Sequence, residues 1–144
     1  MKPAPQGWPR IACVVFYEDA SAAIDWLCRA FGFEVRLKVQ MDNGRIAHSE
    51  LTFGEGVIMI ADVGGQTPNR SPKSIGGVNT QHLSIWVDDV DAHCARAREA
   101  GARIVVEPRT SDHGEGNPSD RAYAAEDPEG HRWSFMNRLR NASR

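Results

Sequence analysis

His48 and Glu50 stand two residues apart in the stretch from Arg45 to Phe53, which reads as a strand ahead of Gly54-Glu55-Gly56. Alternate strand residues share a face, so the imidazole and the carboxylate point into the same space. Such a pair can pass a proton, because histidine titrates near neutrality. Joined by His82, it would instead offer a His/Glu/His set of the kind that holds a divalent metal. The plain alternative is a half-exposed strand face whose polar groups simply meet water. Arg132 adds a fork of donors that either binds a ligand carboxylate or phosphate or neutralises Glu50.

The remaining reactive side chains point less clearly to chemistry. His131 lies beside a turn and suits bonding to turn carbonyls. His113 falls in a polar stretch, either solvated or closing over a ligand, and His93 lies mid-helix. Cys13, Cys28 and Cys94 form no CxxC pair and have no evident partner to stabilise a thiolate, so nucleophilic catalysis is not expected. No Ser/His/Asp order, phosphate loop or nucleotide fingerprint occurs.

The elements that must position these residues come in two copies. Ala12 to Asp19 is an apolar strand ending in an acidic pair, followed by a helical pattern that stops at Gly32. His82 to Asp89 repeats it, and its helix stops at Gly101. A repeat of this length means two similar units. In the first, Asp19 or Ser21 caps the helix, and Ala23, Ile24, Leu27, Cys28 and Phe31 form its apolar face. Strands follow over 34–40, 45–53 and 57–61, with Asn43-Gly44 marking a hairpin. Residues 63–79, rich in Gly and Pro, read as a linker. The second unit has strands over 82–87, 102–107, 121–125 and 132–136. Residues 108–120 read as a long polar loop of the kind that often serves as a lid.

Bulk composition narrows the function classes. At 144 residues the chain can bury a core without disulfide or metal staples, and 41% hydrophobic with 25% charged residues is globular, not disordered. A formal net charge of -2 without a basic cluster argues against a nucleic-acid partner, Arg138-Leu139-Arg140 being a short solvated tail. No apolar run suggests a signal peptide or a membrane span, and three apparently buried thiols suit a reducing cytoplasm.

Strand parity defines the shared hollow. Leu51, Phe53, Ile58 and Ile60 face the helices, and His48, Glu50, Thr52, Val57, Met59 and Ala61 face the other way. Glu50 is expected directly across from Met59. Ala12, Val14 and Phe16 share that inward orientation. So do His82, Ser84 and Trp86, and on the last strand Arg132, Ser134 and Met136. An apolar bowl with aromatic rings and a few polar handles suits a small organic ligand.

The paired β-α-β-β-β units, the junctions Tyr17 to Trp26 and Trp86 to Asp91, and the closing Asp127-Pro-Glu-Gly-His-Arg-Trp-Ser-Phe135 together resemble the vicinal oxygen chelate superfamily, also called glyoxalase/bleomycin-resistance/dioxygenase proteins. The resemblance covers roughly residues 10–137. It implies an α+β fold of paired βαβββ modules, about 10–62 and 80–137 of a single domain over 1–144. Each module forms a half-barrel, cup-shaped mixed sheet with its helix outside, and homodimers are common. Metal-using members carry ligands on four strands, and those positions fall here on Ala12, Met59, His82 and Ser134. Alanine has no donor, and neither a thioether nor a neutral hydroxyl suits the divalent ions in question. The resulting expectation is a cytoplasmic, homodimeric small-molecule binder without metal or other cofactor. Phe16, His48, Glu50, Met59, His82, Ser84, Trp86, Arg132 and Ser134 would be its ligand-contacting residues, and the ligand a small, partly aromatic or amphipathic compound. The alternative is a metal-dependent lyase, isomerase or dioxygenase-type enzyme built on His48, Glu50 and His82; whether any reaction is catalysed stays open.

Overall fold

Asp19 and Asp89 each end a strand and start a helix by the same device. The side chain of Asp19 accepts a hydrogen bond from the Ala22 amide at 2.9 Å, and that of Asp89 from the Ala92 amide at 3.0 Å. Each bond satisfies one of the amides that a helix start leaves without a partner. Of the two expected caps for the first helix, Asp19 is the one used.

A computed structural model describes residues 1–66 and 68–143. The chain divides into two compact units, Met1–Ile75 and the part from Gly76 onward. In the first, β1 (Cys13–Tyr17), α1 (Ala20–Phe31), β2 (Glu34–Gln40), β3 (Ile46–Phe53) and β4 (Gly56–Asp62) follow in order, and a short 3-10 turn spans Pro72–Ile75. The second contains β5 (Leu83–Trp86), α2 (Val90–Glu99), β6 (Arg103–Asp112), β7 (Ser119–Glu126) and β8 (Arg132–Arg140). The sheet orders are β1-β4-β3-β2 and β5-β8-β7-β6. In both, the first strand runs parallel to the fourth and the other pairs are antiparallel. These are the two βαβββ modules expected from the repeat, each an open mixed sheet with one helix packed on it. No helix among the described residues is long and apolar enough to cross a membrane.

α1 buries Ala23, Ile24, Trp26, Leu27, Ala30 and Phe31 and stops at Gly32, whose φ of 84° is left-handed and suits glycine. Truncating a fully buried Ile24 or Leu27 to alanine costs about 2–5 kcal/mol. α2 buries only Val90, Cys94 and Ala97, so more of its sheet's stability rests on the rings beneath it. Tyr123 and Phe135 stack there with centroids 5.2 Å apart, and Trp133 is fully buried.

Strand parity holds at most positions. Ser49, Leu51, Ile58 and Ile60 are buried, while His48 is exposed and Glu50, Thr52, Met59 and Ala61 are half-buried. Val57 departs from it, being buried although it belongs to the inward set. β3 and β4 pair directly from Leu51↔Ile58 to Phe53↔Gly56. Beyond that, side chains take over the ladder. The Ser49 hydroxyl donates to the Ile60 carbonyl at 2.6 Å and accepts from the Ile60 amide at 2.8 Å. Asp62 accepts from the Ile46 amide at 2.6 Å and from the Ala20 amide at 3.1 Å, tying β3 and β4 to the start of α1.

One expectation needs correction. The loop expected over 108–120 is mostly a β-hairpin: β6 continues to Asp112 and β7 begins at Ser119. Charged pairs carry the extension, Arg140 with Asp112 and Arg138 with Asp120, with Arg121 bonded back to Asp91 on α2. Polar composition reads as a loop because it does not show that each carboxylate has an arginine opposite. β2 forms over Glu34–Gln40 as expected, with an irregularity. Its register slips between Val35 and Leu37, where Arg36 is the additional residue.

Candidate functional site

In the first unit the helix-free sheet face is mainly apolar. β1 sets Val14 beside Met59 and Phe16 beside Ala61. Continuing the β3–β4 register by one residue places Glu50 opposite Met59, as parity requires, and β2 adds Leu37 next to Glu50 and Val39 next to His48.

One polar cluster interrupts this surface. His48 Nε2 lies 3.0 Å from Glu50 Oε1, and Arg36 Nε donates to Glu50 Oε2 at 2.7 Å. Both carboxylate oxygens therefore have partners, and only 14% of the Glu50 side chain is exposed. The bond from His48 outweighs the effect of burial and, with the Arg36 guanidinium, holds the Glu50 carboxyl below the usual carboxylate range. Arg36 also donates to the Gly7 carbonyl and lies 4.7 Å from the centre of the Trp8 ring, a cation–π distance that fastens the N-terminal segment to this face.

In the second unit the residues opposite α2 form rows across the sheet. Register pairs Ser84 with Ser134, and Ser134 with Ala124; the next row sets Trp86, Met136, Ala122 and Arg109 side by side. His82 lies just before β5, and one further step of the same register sets it opposite Arg132. Arg132 Nη2 donates to Glu126 Oε1 at 2.7 Å, and Arg103 binds the other oxygen of that carboxylate. Burial alone would raise the Glu126 carboxyl, but the two guanidinium bonds outweigh it and hold it low. Arg138 lies 5.2 Å from the centre of the half-exposed Trp86 ring and is paired with Asp120.

The structure thus brings Phe16, His48, Glu50 and Met59 onto one face of the first sheet. Ser84, Trp86, Arg132 and Ser134 share one face of the second, with His82 at its edge. The alternative partner considered for Arg132 is replaced: Glu50 is held by Arg36 and His48, and Arg132 by Glu126.

Sequence reasoning missed Trp8, Arg36, Arg103, Glu126 and Arg138. Glu126 was within reach, since the turn over 127–131 sets it opposite Arg132. Arg36 was not. Lys38, two residues on, reaches Ser21 on the helix side at 3.0 Å while Arg36 reaches Glu50 on the other, an arrangement only the bulge permits.

The four positions that the resemblance implies as metal-ligand positions, Ala12, Met59, His82 and Ser134, do not suit such an ion. Each unit has the same internal spacing: the register continued by one residue sets Ala12 beside Val57 and His82 beside Arg132, and the second position follows two residues later, at Met59 and Ser134. The donor set is then a methyl, a thioether, an imidazole and a neutral hydroxyl. Among the described residues no three histidine, cysteine or acidic side chains are grouped to hold a metal.

Comparison with known proteins places this architecture. A family model described as the Glyoxalase/Bleomycin resistance protein/Dioxygenase superfamily matches residues 10–135. An uncharacterized protein of Mycobacterium bovis is 31% identical over 141 residues, which span 94% of this chain and 87% of that protein. Among solved structures, TioX from Micromonospora sp. ML1 is similar with a TM-score of 0.70 and 34% identity, covering 91% of this chain and 99% of its own. A glyoxalase/bleomycin resistance protein from Streptomyces sp. CB03234 shares the fold at a TM-score of 0.61 and 20% identity, over 86% of this chain and 96% of that one.

Proposed function

We propose, from the premise that the chain belongs to the Glyoxalase/Bleomycin resistance protein/Dioxygenase superfamily, that it is a cytoplasmic, homodimeric protein that binds a small, partly aromatic or amphipathic molecule without a metal centre. The observation that carries this reading is the donor set. Three of the four ligand positions, Ala12, Met59 and Ser134, hold nothing a hard or borderline divalent ion would choose. Within each unit the neighbouring residues support ligand contact instead: Phe16 and Met59 with His48 and Glu50 on the first sheet, and Trp86 with His82, Ser84, Arg132 and Ser134 on the second.

Elemental analysis of untagged protein, purified without chelator, tests the reading first. The expected result is no stoichiometric transition metal; one ion per chain that disappears in His82→Ala would overturn it. In a thermal-shift screen of aromatic and amphipathic compounds, a ligand should then raise the melting temperature, and the shift should grow with the logarithm of ligand concentration above its Kd.

One observation favours a catalytic reading as the second choice. An ionised carboxylate can only accept, so Glu50 fixes the proton of neutral His48 on Nε2 and leaves Nδ1 with its lone pair. Such a histidine can act as a general base. If it does, mass spectrometry of a stabilising ligand incubated with the protein will show conversion that is lost in His48→Gln. A ligand recovered unchanged supports the binder.

A further inference from the structure

The rows on the second sheet point to a ligand class. Across the middle run Ser84, Ser134 and Ala124, all small, so the sheet is low there, with Val106 ending the row on β6. One end of this strip is bounded by His82, Arg132, Glu126 and Arg103, the other by Trp86, Met136 and Arg109. Small side chains between taller ones leave a shallow strip, and Trp86 provides an aromatic wall beside it with 52% of its surface exposed.

Charge on this face is unbalanced. Four arginines, Arg103, Arg109, Arg132 and Arg138, face two carboxylates, Glu126 and Asp120. Arg109 makes no ion pair among the described residues, and Arg132 keeps 46% of its side chain exposed although one of its nitrogens is bonded to Glu126. The chain as a whole carries a formal charge of -2, so this positive excess is local. Guanidinium groups with uncommitted donors at the ends of such a strip recognise a carboxylate or phosphate attached to a planar body.

We infer that the face formed by β5, β8, β7 and β6 binds planar aromatic anions, with the ring over Ser84, Ser134 and Ala124 against Trp86 and the acid group on Arg109 or Arg132. This rests on the small-molecule binding reading above and narrows it to one charge and shape.

Three probes test it by titration calorimetry on the full chain: 2-naphthoate, the neutral 2-naphthamide with the same ring, and the bulky acid adamantane-1-carboxylate. Naphthoate is expected to bind about tenfold or more tightly than naphthamide, the gain of one charge-assisted contact, and more tightly than adamantane-1-carboxylate, whose acid group is the same but whose body is not planar. Trp86→Leu, at an exposed position, and the Arg109→Gln, Arg132→Gln double variant are each expected to weaken naphthoate by a similar factor. Equal binding of naphthamide, or an Arg109→Gln, Arg132→Gln double variant that binds naphthoate as the native chain does, would overturn the inference. If a neutral or cationic aromatic from the thermal-shift screen stabilises the chain while naphthoate does not bind, this inference fails and the broader reading stands. If nothing in either set binds, both fail.

Discussion

Arg36 reaches across one strand boundary to Glu50, with Nε 2.7 Å from Oε2, although straight alternation would place its side chain on the same face as Lys38. The slip between Val35 and Leu37 separates the two cations. The consequence is a neutralised carboxylate beside His48 on an otherwise apolar surface, and the role of each partner can be measured.

Arg36→Gln should raise the Glu50 carboxyl from its depressed value toward the ordinary carboxylate range. A carboxyl-carbon NMR titration of native and variant protein reads this directly. The same substitution removes the cation from the Trp8 ring, and tryptophan emission should change with it. An unshifted Glu50 titration would mean that His48 alone sets its charge.

Ser49→Ala removes the hydroxyl that stands in for the ladder between β3 and β4 and leaves both the amide and the carbonyl of buried Ile60 without that partner. The expected loss is about 1–3 kcal/mol, read from the urea midpoint at unchanged slope. Ser49→Thr keeps the hydroxyl and should recover part of it.

Asp127 explains the closing motif. One oxygen accepts from the amides of Glu129 at 3.0 Å and His131 at 3.1 Å, and the other accepts from the indole of fully buried Trp133 at 3.0 Å. Asp127→Ala leaves a buried indole donor unpaired and loosens the turn that sets β7 against β8. A loss of about 2–4 kcal/mol is expected in chemical denaturation. Trp133→Phe in the same background should cost less than it does in the native chain, because the donor is already orphaned.

Acid should weaken the long hairpin of the second unit. Hydrogen bonds from Arg121 hold Asp91 low, and bonds from Arg140 and the Gly114 amide do the same for Asp112. A carboxylate whose folded pKa lies below its unfolded one stabilises the fold above the unfolded value, near pH 4, and loses that contribution as pH falls through the folded one. Melting temperature should therefore decline below about pH 4, and Arg140→Gln should flatten the decline. A native-like acid profile in that variant would remove Asp112 from the account.

The repeat, the helix caps and the facing of most strand residues were legible in the sequence because they follow from short-range rules: period two along β3, an acidic cap before α1, glycine after it. The apolar faces of Leu51, Ile58 and Ile60 against His48, Glu50 and Met59 came from the same rule. What escaped it depends on partners far along the chain. The stretch 108–120 looked like a loop because nothing local announces that Asp112 meets Arg140. Arg36 escaped because a bulge has no composition of its own. Among the site candidates, the pairing of His48 with Glu50 was readable from spacing alone, whereas the grip of Arg103 and Arg132 on Glu126 needed the register of three strands.

The parallel pairing of each first strand with its fourth bears on how the chain folds. β2, β3 and β4 are joined by short turns, but Cys13 meets Ile58 some 45 positions on, and Leu83 meets Trp133 across 50. Closing such long intervals loses more chain entropy than zipping neighbouring hairpins, so β1 and β5 are expected to dock late, after their sheets have formed. Phe16 and Trp86 ride on those late strands. The surfaces that would touch a ligand are then completed at the end of folding, and substitutions there should speed unfolding more than they slow assembly.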